Sequence, residues 1–475
     1  MADRKLQLYK TLGKNTVSNG FFFSGQRVIQ LLTFAALVRI LSLEEYGLLL
    51  LAGTLIGQFA FLDGGLSIAI QKFIPQFKVN DQEKDIGRAI TVTLLFFLGI
   101  GFIACIILLG IVALDLTHFL GAKNSQSANQ VFAAAAVLAV FQWPMRALEN
   151  ACKGFNLFHQ LNVIRFIQMS VSALIAIGAA MAGIAIVWIF IFRWMPRIGS
   201  TIAMWLVIRG CHSGVIVKLD KDLYKIFRVM FNYSMWVFIT QISSIIVNQF
   251  DRIIVSVALG LDKLPIYFGI NRILKMVIEL NSLLKSAVIP IASEIYGGHN
   301  RKVFNKFAYQ GTRTLNAIFA PCAAVVIIFA EPILKILGGN EFLAYSWCLQ
   351  LGVILLLVVS SRAFVHSMLL GSGHVIRFQG LFAVLFAAVF LIIIYFGLQI
   401  FGLYGGILAH PVAHLLRMPA WVLLVLANSK LEISEFFKAV LMGQSVSLIF
   451  LGLFLLFSLC IDNYNYQIHY VFLVI

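Results

Sequence analysis

Ten lysine and arginine residues of this chain lie inside long apolar stretches of its sequence. A cation in the hydrocarbon core of a bilayer costs about 2.5 to 3.5 kcal/mol, so it must face water, a partner group or the membrane edge. Arginine binds phosphate and carboxylate oxygens through paired hydrogen bonds, so these residues are candidates for recognising an anion. They are Arg27, Arg39, Arg193, Arg197, Arg252, Arg272, Lys275, Lys285, Arg362 and Arg417.

Other polar residues in these stretches recur at helical spacing. Intervals of three, four or seven residues place them on one face of a helix, and such a face is expected to turn away from lipid. The predicted cavity residues are Arg27; Asp63; Arg193 and Arg197; Asn248, Asp251 and Arg252; Arg272, Lys275 and Glu279; Arg362 and His366; and His410, His414 and Arg417.

Acidic residues in the same stretches are too few to neutralise these cations. Asp63, Asp251 and Glu279 lie well inside apolar stretches, and Glu149 and Glu331 lie near their ends. Any single stripe could simply hold helices together through polar contacts. The excess of cations as a whole instead predicts a water-filled cationic cavity for an anionic solute, because an unpaired buried charge is costly.

Three further features qualify this prediction. Arg39 and Lys285 lie near the ends of their stretches, where long side chains can reach the interface. His410 and His414 could titrate and couple transport to protons, but we favour neutral histidines on the cavity wall. Pro411 and the glycines before it predict a bent or broken helix.

The composition is that of a polytopic membrane protein. Of 475 residues, 61% are hydrophobic and 12% charged, against about 25% charged in soluble domains. The net charge of +16 does not indicate nucleic-acid binding, because the basic residues are scattered between apolar blocks. The six cysteines form no metal-binding pattern, and no nucleotide-binding or hydrolase motif occurs, so we predict no metal, no cofactor and no enzymatic activity.

Thirteen windows are apolar and long enough to cross a bilayer as helices. Lys and Arg are concentrated in alternate loops, and only Lys123, Lys263 and Lys335 lie in the others, which predicts a cytoplasmic N-terminus. The final residues, 468–475, are too short for a further span. The windows are 17–41, 46–70, 89–114, 130–150, 161–182, 184–208, 229–259, 266–289, 314–337, 345–370, 379–400, 404–427 and 439–460.

Two pairs of similar segments, six spans apart, indicate an internal repeat. Arg146-Ala147, followed by Val163-Ile-Arg-Phe166, is matched by Arg362-Ala363, followed by Val375-Ile-Arg-Phe378. Leu41–Gly47 is similarly matched after the seventh span. We therefore predict an all-α protein with two pseudo-symmetric six-helix lobes and the substrate path between them. The expected parts are an N-lobe at 17–208, a basic linker at 209–228, a C-lobe at 229–427 and an extension with span thirteen at 428–475.

Several short motifs, in order along residues 10 to 440, resemble the polysaccharide flippases of the multidrug/oligosaccharidyl-lipid/polysaccharide exporter superfamily. They are Leu12-Gly-Lys-Asn-Thr16, Leu41-Ser-Leu-Glu-Glu-Tyr-Gly47, Asp63-Gly-Gly-Leu66, Asn248-Gln-Phe-Asp-Arg252 and Phe401-Gly-Leu-Tyr-Gly-Gly406.

The resemblance implies a flippase that moves an undecaprenyl-diphosphate-linked oligosaccharide, such as an O-antigen or capsule repeat unit, across the bacterial inner membrane. Membrane lipids, and polysaccharide polymerase or chain-length machinery, are the expected partners. A peptidoglycan-precursor flippase is the main alternative. A cation-coupled drug antiporter of the same fold would need a cavity of opposite sign, and a membrane-embedded polymerase or ligase would need a larger outer loop.

Overall fold

Every regular element in the part of the chain that the structure describes is helical. The structure is a computed structural model, and the predicted all-α membrane fold is confirmed. The chain divides into two compact units, Met1–Pro265 and Ile266–Ile475. The described residues are 22, 24–80, 82–122, 124–211, 219–231, 234, 246–278, 288, 301–371, 376–422, 431–432 and 434–445.

The described helices of the first unit lie before Pro265. They are α1 (24–40), α2 (Leu43–Gln58), α3 (Leu66–Val79), α4 (Glu83–Ala113), α5 (Ser125–Gly154), α6 (Phe158–Met181), α7 (Ile186–Cys211), α8 (223–231) and α9 (Asp251–Leu259). Short 3₁₀ segments at Phe59–Asp63 and His118–Leu120 and a π-helical turn at Ile246–Phe250 join them.

The second unit begins within α10 and contains the remaining described helices. These are α10 (264–278), α11 (Arg301–Ile328), α12 (Ala330–Gly338), α13 (Asn340–Leu343), α14 (Ser346–Ser360), α15 (Ala363–Gly371), α16 (Ile376–Phe401), α17 (Leu403–Leu416), α18 (418–422) and α19 (434–445). The compact units divide after α9, whereas the predicted linker is 209–228; the six-span repeat stays a prediction.

Seven of the described helical stretches are long and apolar enough to cross a membrane. Their outward faces carry large apolar side chains: on α4, Phe102, Ile106 and Leu109 are exposed. Lipid solvates such faces without cost, whereas water would not. The total of thirteen spans stays a prediction, and most of span thirteen and the tail at 468–475 lie outside the described residues. The seven stretches are Glu83–Ala113, Ser125–Gly154, Phe158–Met181, Ile186–Cys211, Lys302–Ile328, Ser346–Leu369 and Ala383–Phe401.

Side-chain caps are present at the N-termini of two described helices, α2 and α5. Ser42 caps α2, where its hydroxyl accepts a hydrogen bond from the Glu45 N–H (3.2 Å) and its own N–H donates to the Glu45 carboxylate (3.0 Å). Asn124 caps α5 by accepting from the Ser127 N–H (3.1 Å). Both caps satisfy backbone donors that the first helical turn leaves without a partner.

The window 46–70, expected as one span, is interrupted. The helix gives way to the 3₁₀ segment at Phe59, and Gly64 and Gly65 then take left-handed conformations with φ of 59° and 79°. A Cβ at Gly65 would also collide with the Ser234 carbonyl group. The interruption follows because only glycine adopts this backbone readily and allows another segment to approach so closely.

The helix that was predicted to be bent or broken near Pro411 is not broken there. α17 runs through Pro411 to Leu416, and the chain turns before it, at Gly402, whose φ is 57°. Gly402, with its positive φ, lies between the end of α16 and the start of α17. The chain therefore reverses direction at this junction and not by a break inside α17.

An ion cluster joins α4 to the segment before α8, which lies within the predicted basic linker. Arg88 pairs with Asp85 (2.9 Å), Asp220 (2.8 Å) and Asp222 (2.6 Å). Asp85 lies on α4, while the other two aspartates immediately precede α8. One guanidinium therefore holds two distant segments of the first unit together.

Candidate functional site

Arg193 and Arg197, predicted as a pair, lie one turn apart on α7 and are half-buried. The Arg197 guanidinium lies 3.7 Å from the centroid of the Trp194 ring, and its Nη1 donates to Oε1 of Gln142 on α5 (3.1 Å). In the described part of the chain no carboxylate pairs with Arg197. An aromatic face and an amide oxygen thus stabilise the charge of Arg197.

Asp63 and Asp251 are buried, and local backbone groups use their carboxylates. Asp63 accepts a hydrogen bond from the Ser67 N–H (2.9 Å) at the start of α3, and Asp251 accepts one from the Arg252 N–H (3.0 Å). The Arg252 side chain donates to the Thr54 hydroxyl of α2 (3.2 Å), which joins α9 to α2. These predicted cavity acids therefore have structural contacts of their own.

Arg27 lies on α1 and Arg39 near the end of the same helix. Arg27 Nη1 donates to Gln30 Oε1 (3.4 Å), whereas Arg39 is exposed. The exposure of Arg39 agrees with a side chain that reaches the interface. Glu279 and Lys285 lie outside the described residues, as does the side chain of Asn248.

In the second unit, the histidines and Arg417 lie together on α17 against aromatic rings of α16. The His410 and His414 ring centroids are 4.6 Å apart, and His414 lies 4.7 Å from Phe386. The Arg417 guanidinium is 5.1 Å from the same Phe386 ring. Lys275 of α10 lies within electrostatic range of His410. The structure thus brings four predicted residues into one group.

Arg362 and His366 share an aromatic partner from a later part of the chain. Arg362 lies 5.9 Å from the Trp421 ring, and the Trp421 indole N–H donates to Nδ1 of His366 (3.3 Å). Arg362 and Arg417 are within electrostatic range of each other. On α10, Arg272 lies 5.5 Å from the Phe268 ring.

Aromatic rings are the recurring partners of these intramembrane cations. A cation over a ring gains about 0.5 kcal/mol when exposed and about 2 kcal/mol when desolvated. Unlike an acid, a ring leaves the net positive charge in place. Neither Arg197, Arg362 nor Arg417 pairs with a carboxylate among the described residues, so all three keep charge that an anion could meet. These residues supply no chemistry for bond breaking; they can bind and release an anion.

Three further cations of the first unit were not among the predicted cavity residues. Arg146 and Lys153 lie on the continuous helix α5, and Arg165 lies on α6; all three are half-buried. The repeat offered a signal for Arg146, because it matches Arg362, and the residue four positions later, Asn150, matches His366. Hydropathy windows missed this correspondence.

The described residues contain no group of three or more histidine, cysteine or acidic side chains that could hold a metal ion.

Comparison with known proteins places these features in a family. Residues 36–346 match the family described as "Polysaccharide biosynthesis protein". The chain is 25% identical over 342 residues to the Shigella flexneri protein named "Putative O-antigen transporter", covering 69% of this chain and 77% of that protein.

Solved structures show the same fold at low sequence identity. The inward closed lipid II flippase MurJ aligns with a TM-score of 0.66 at 16% identity, over 97% of this chain and 95% of that one. An inward-facing MATE multidrug transporter of the MOP superfamily aligns with a TM-score of 0.65 at 13% identity, over 88% and 94%. The matched family, which covers most of the sequence, and the shared fold identify this chain as a member of the polysaccharide biosynthesis protein family with the fold of MOP-superfamily transporters.

Proposed function

We propose that this protein is a flippase for an undecaprenyl-diphosphate-linked oligosaccharide, an O-antigen or other surface-polysaccharide repeat unit, in the bacterial inner membrane. One observation carries the proposal: intramembrane arginines of both units rest on aromatic rings and amides, which leaves their charge available to a diphosphate. The family match and the relative named as an O-antigen transporter support the polysaccharide pathway.

The proposed mechanism is alternating access without covalent catalysis. The cationic residues bind the diphosphate by charge-assisted hydrogen bonds, and a change of conformation exposes them to the other side of the membrane. Release of the diphosphate requires that its affinity for the protein stay moderate. Cations over aromatic rings meet this need because the rings already stabilise part of their charge. The lipid tail stays with membrane lipids, and polysaccharide polymerase or chain-length machinery would receive the product.

Two other functions share this fold. A peptidoglycan-precursor flippase would carry the same anionic diphosphate on a different saccharide, as the likeness to the lipid II flippase illustrates. A drug antiporter for organic cations would repel its substrate from Arg197, Arg362 and Arg417. The charge of these arginines therefore favours a lipid-diphosphate substrate over a cationic drug.

The test replaces Arg193, Arg272 and Arg417 one at a time by glutamine in cells whose own gene is deleted. We expect each variant to lower surface polysaccharide, measured on gels, by about tenfold, because each loses a charge-assisted contact of about 1.5 to 3 kcal/mol. Arg209→Gln is the matched control: Arg209 lies 5.5 Å from the Trp205 ring on the same helix as Arg193 but is exposed.

Protein amounts in the membrane are measured in parallel by immunoblotting. Normal polysaccharide with all three variants would contradict the proposal. Export of an organic cation that depends on this gene, with unchanged polysaccharide in the deletion, would favour the drug antiporter instead.

A further inference from the structure

The first unit contains a cationic cluster that the predicted site does not include. Lys153 lies within electrostatic range of Glu149, Arg146 and Arg165, and Arg165 pairs with the Glu149 carboxylate (3.3 Å). Arg197 is within range of the same glutamate. The cluster thus contains four cations, from α5, α6 and α7, and one acid, Glu149, and it keeps a net positive charge after that acid is paired.

Asn150 organises the part of this cluster between α3 and α5. Its amide nitrogen donates to the Ser67 hydroxyl (2.9 Å) and to the Arg146 carbonyl (2.8 Å). Its amide oxygen accepts from Gln71 Nε2 (3.0 Å) and Lys153 Nζ (3.2 Å). Asn150 is itself buried. These four bonds use the two donors and the two acceptor positions of the amide, and the bond from Lys153 holds its ammonium in position.

The guanidinium of Arg146 has donors to spare. It lies 5.1 Å from the Trp143 ring, the same kind of support that Arg362 receives from Trp421. In the part of the chain described by the structure, no side chain accepts a hydrogen bond from it. Asp63 is within electrostatic range of Arg146, but the Ser67 N–H already donates to that carboxylate. Arg146 is half-buried, so a ligand can reach it.

We propose that Arg146 and Lys153, positioned by Asn150, form a diphosphate-binding site in the first unit, in which Arg146 is the counterpart of Arg362 in the second. The inference rests on the proposed function and deepens it by naming where the headgroup is held. Arg146 presents paired donors to one phosphate, and Lys153 presents a point charge to the other. Arg165 is occupied by Glu149 and does not take part.

The test measures binding to the purified full chain in detergent, with farnesyl diphosphate as the probe. Farnesol tests the role of the diphosphate, and inorganic diphosphate tests whether the lipid is needed. We expect Arg146→Gln and Lys153→Gln each to weaken farnesyl diphosphate binding about tenfold or more. Arg146→Lys should retain part of the affinity, because it keeps the charge and loses the paired donors. Arg209→Gln and Lys78→Gln, which change exposed cations of the first unit, should bind as the wild type does.

The outcomes separate this site from the proposed function. Wild-type binding that is unchanged in Arg146→Gln and Lys153→Gln overturns the site, and the polysaccharide assay then judges the function by itself. Equal loss in the control variants, or a wild type that binds farnesol as well as farnesyl diphosphate, also overturns it. If inorganic diphosphate also binds the wild type and loses affinity in Arg146→Gln and Lys153→Gln, that result supports a phosphate site and shows that the lipid is not recognised there. Thermal melting of each variant shows whether lost binding reflects lost folding. If Arg146→Gln does not fold, binding by the folded Arg146→Lys variant decides whether Arg146 belongs to the site.

Discussion

At the scale of single residues, the group that contacts each buried cation decides whether its positive charge is neutralised. An arginine over tryptophan or phenylalanine is stabilised without being neutralised, whereas an arginine paired with an acid loses its attraction for an anion. Arg362 and Arg417 are held in the first way, and Arg165 in the second. This difference separates cations that can serve a substrate from those that serve the fold.

Substitutions of Trp421 test whether an aromatic ring keeps Arg362 available to an anion, because Trp421 contacts both Arg362 and His366. Trp421→Phe keeps an aromatic face and removes the N–H donor, so we expect a loss of about 1 kcal/mol in stability and nearly normal polysaccharide. Trp421→Leu removes the face as well, and polysaccharide should fall severalfold. Trp188→Leu, at an exposed position on α7, is the control. Equal polysaccharide in the leucine and phenylalanine variants would argue against the aromatic support.

At the scale of elements, glycines decide how closely helices and turns of the first unit approach. A Cβ at Gly47 in α2 would overlap the Leu261 carbonyl group, in the turn after α9. Gly53 lies on the same helix, and a Cβ there would meet nothing within 4 Å. The two positions share a helix and differ only in their neighbours.

This pair gives a matched experiment on stability. Gly47→Ala should lower the melting temperature of the purified protein, because backbone atoms must move apart by an amount that costs about 1 to 3 kcal/mol. Gly53→Ala should leave it unchanged or raise it, since alanine favours a helix by up to about 1 kcal/mol over glycine. Equal melting temperatures for the two variants would show that the close approach does not matter to stability.

At the scale of the whole molecule, orientation in the membrane follows from the distribution of basic residues. Nearly all Lys and Arg outside the apolar stretches lie in alternate loops, which predicts that the start of α5 faces outward and the end of α7 faces the cytoplasm. Gln126 and Cys211 are exposed at these two places.

Labelling of intact inner-membrane preparations with a membrane-impermeant maleimide tests the orientation. In a background with the other cysteines replaced by serine, Gln126→Cys should react in intact inner-membrane preparations that expose the outer face, and Cys211 should react only after the membrane is opened. Labelling in the opposite order would reverse the predicted topology.

The sequence by itself determined the class of the protein, its apolar helices, the excess of intramembrane cations and a resemblance to the correct family. These properties are local, because hydropathy and helical spacing act over a few turns of one segment. The sequence did not show that Gly64 and Gly65 interrupt the second span, since two glycines alone do not reveal a left-handed turn against another segment.

Only the tertiary structure decided which partner each cation meets. The Arg362 ring partner comes from beyond α17, the Arg417 partner from α16, and Asn150 joins α3 to Lys153. Sequence patterns predict the face of one helix and not the helix packed against it, and for that reason Arg146 and Lys153 were not among the predicted cavity residues. Whether a buried charge is neutralised or kept depends on contacts between distant segments, and packing alone fixes those contacts.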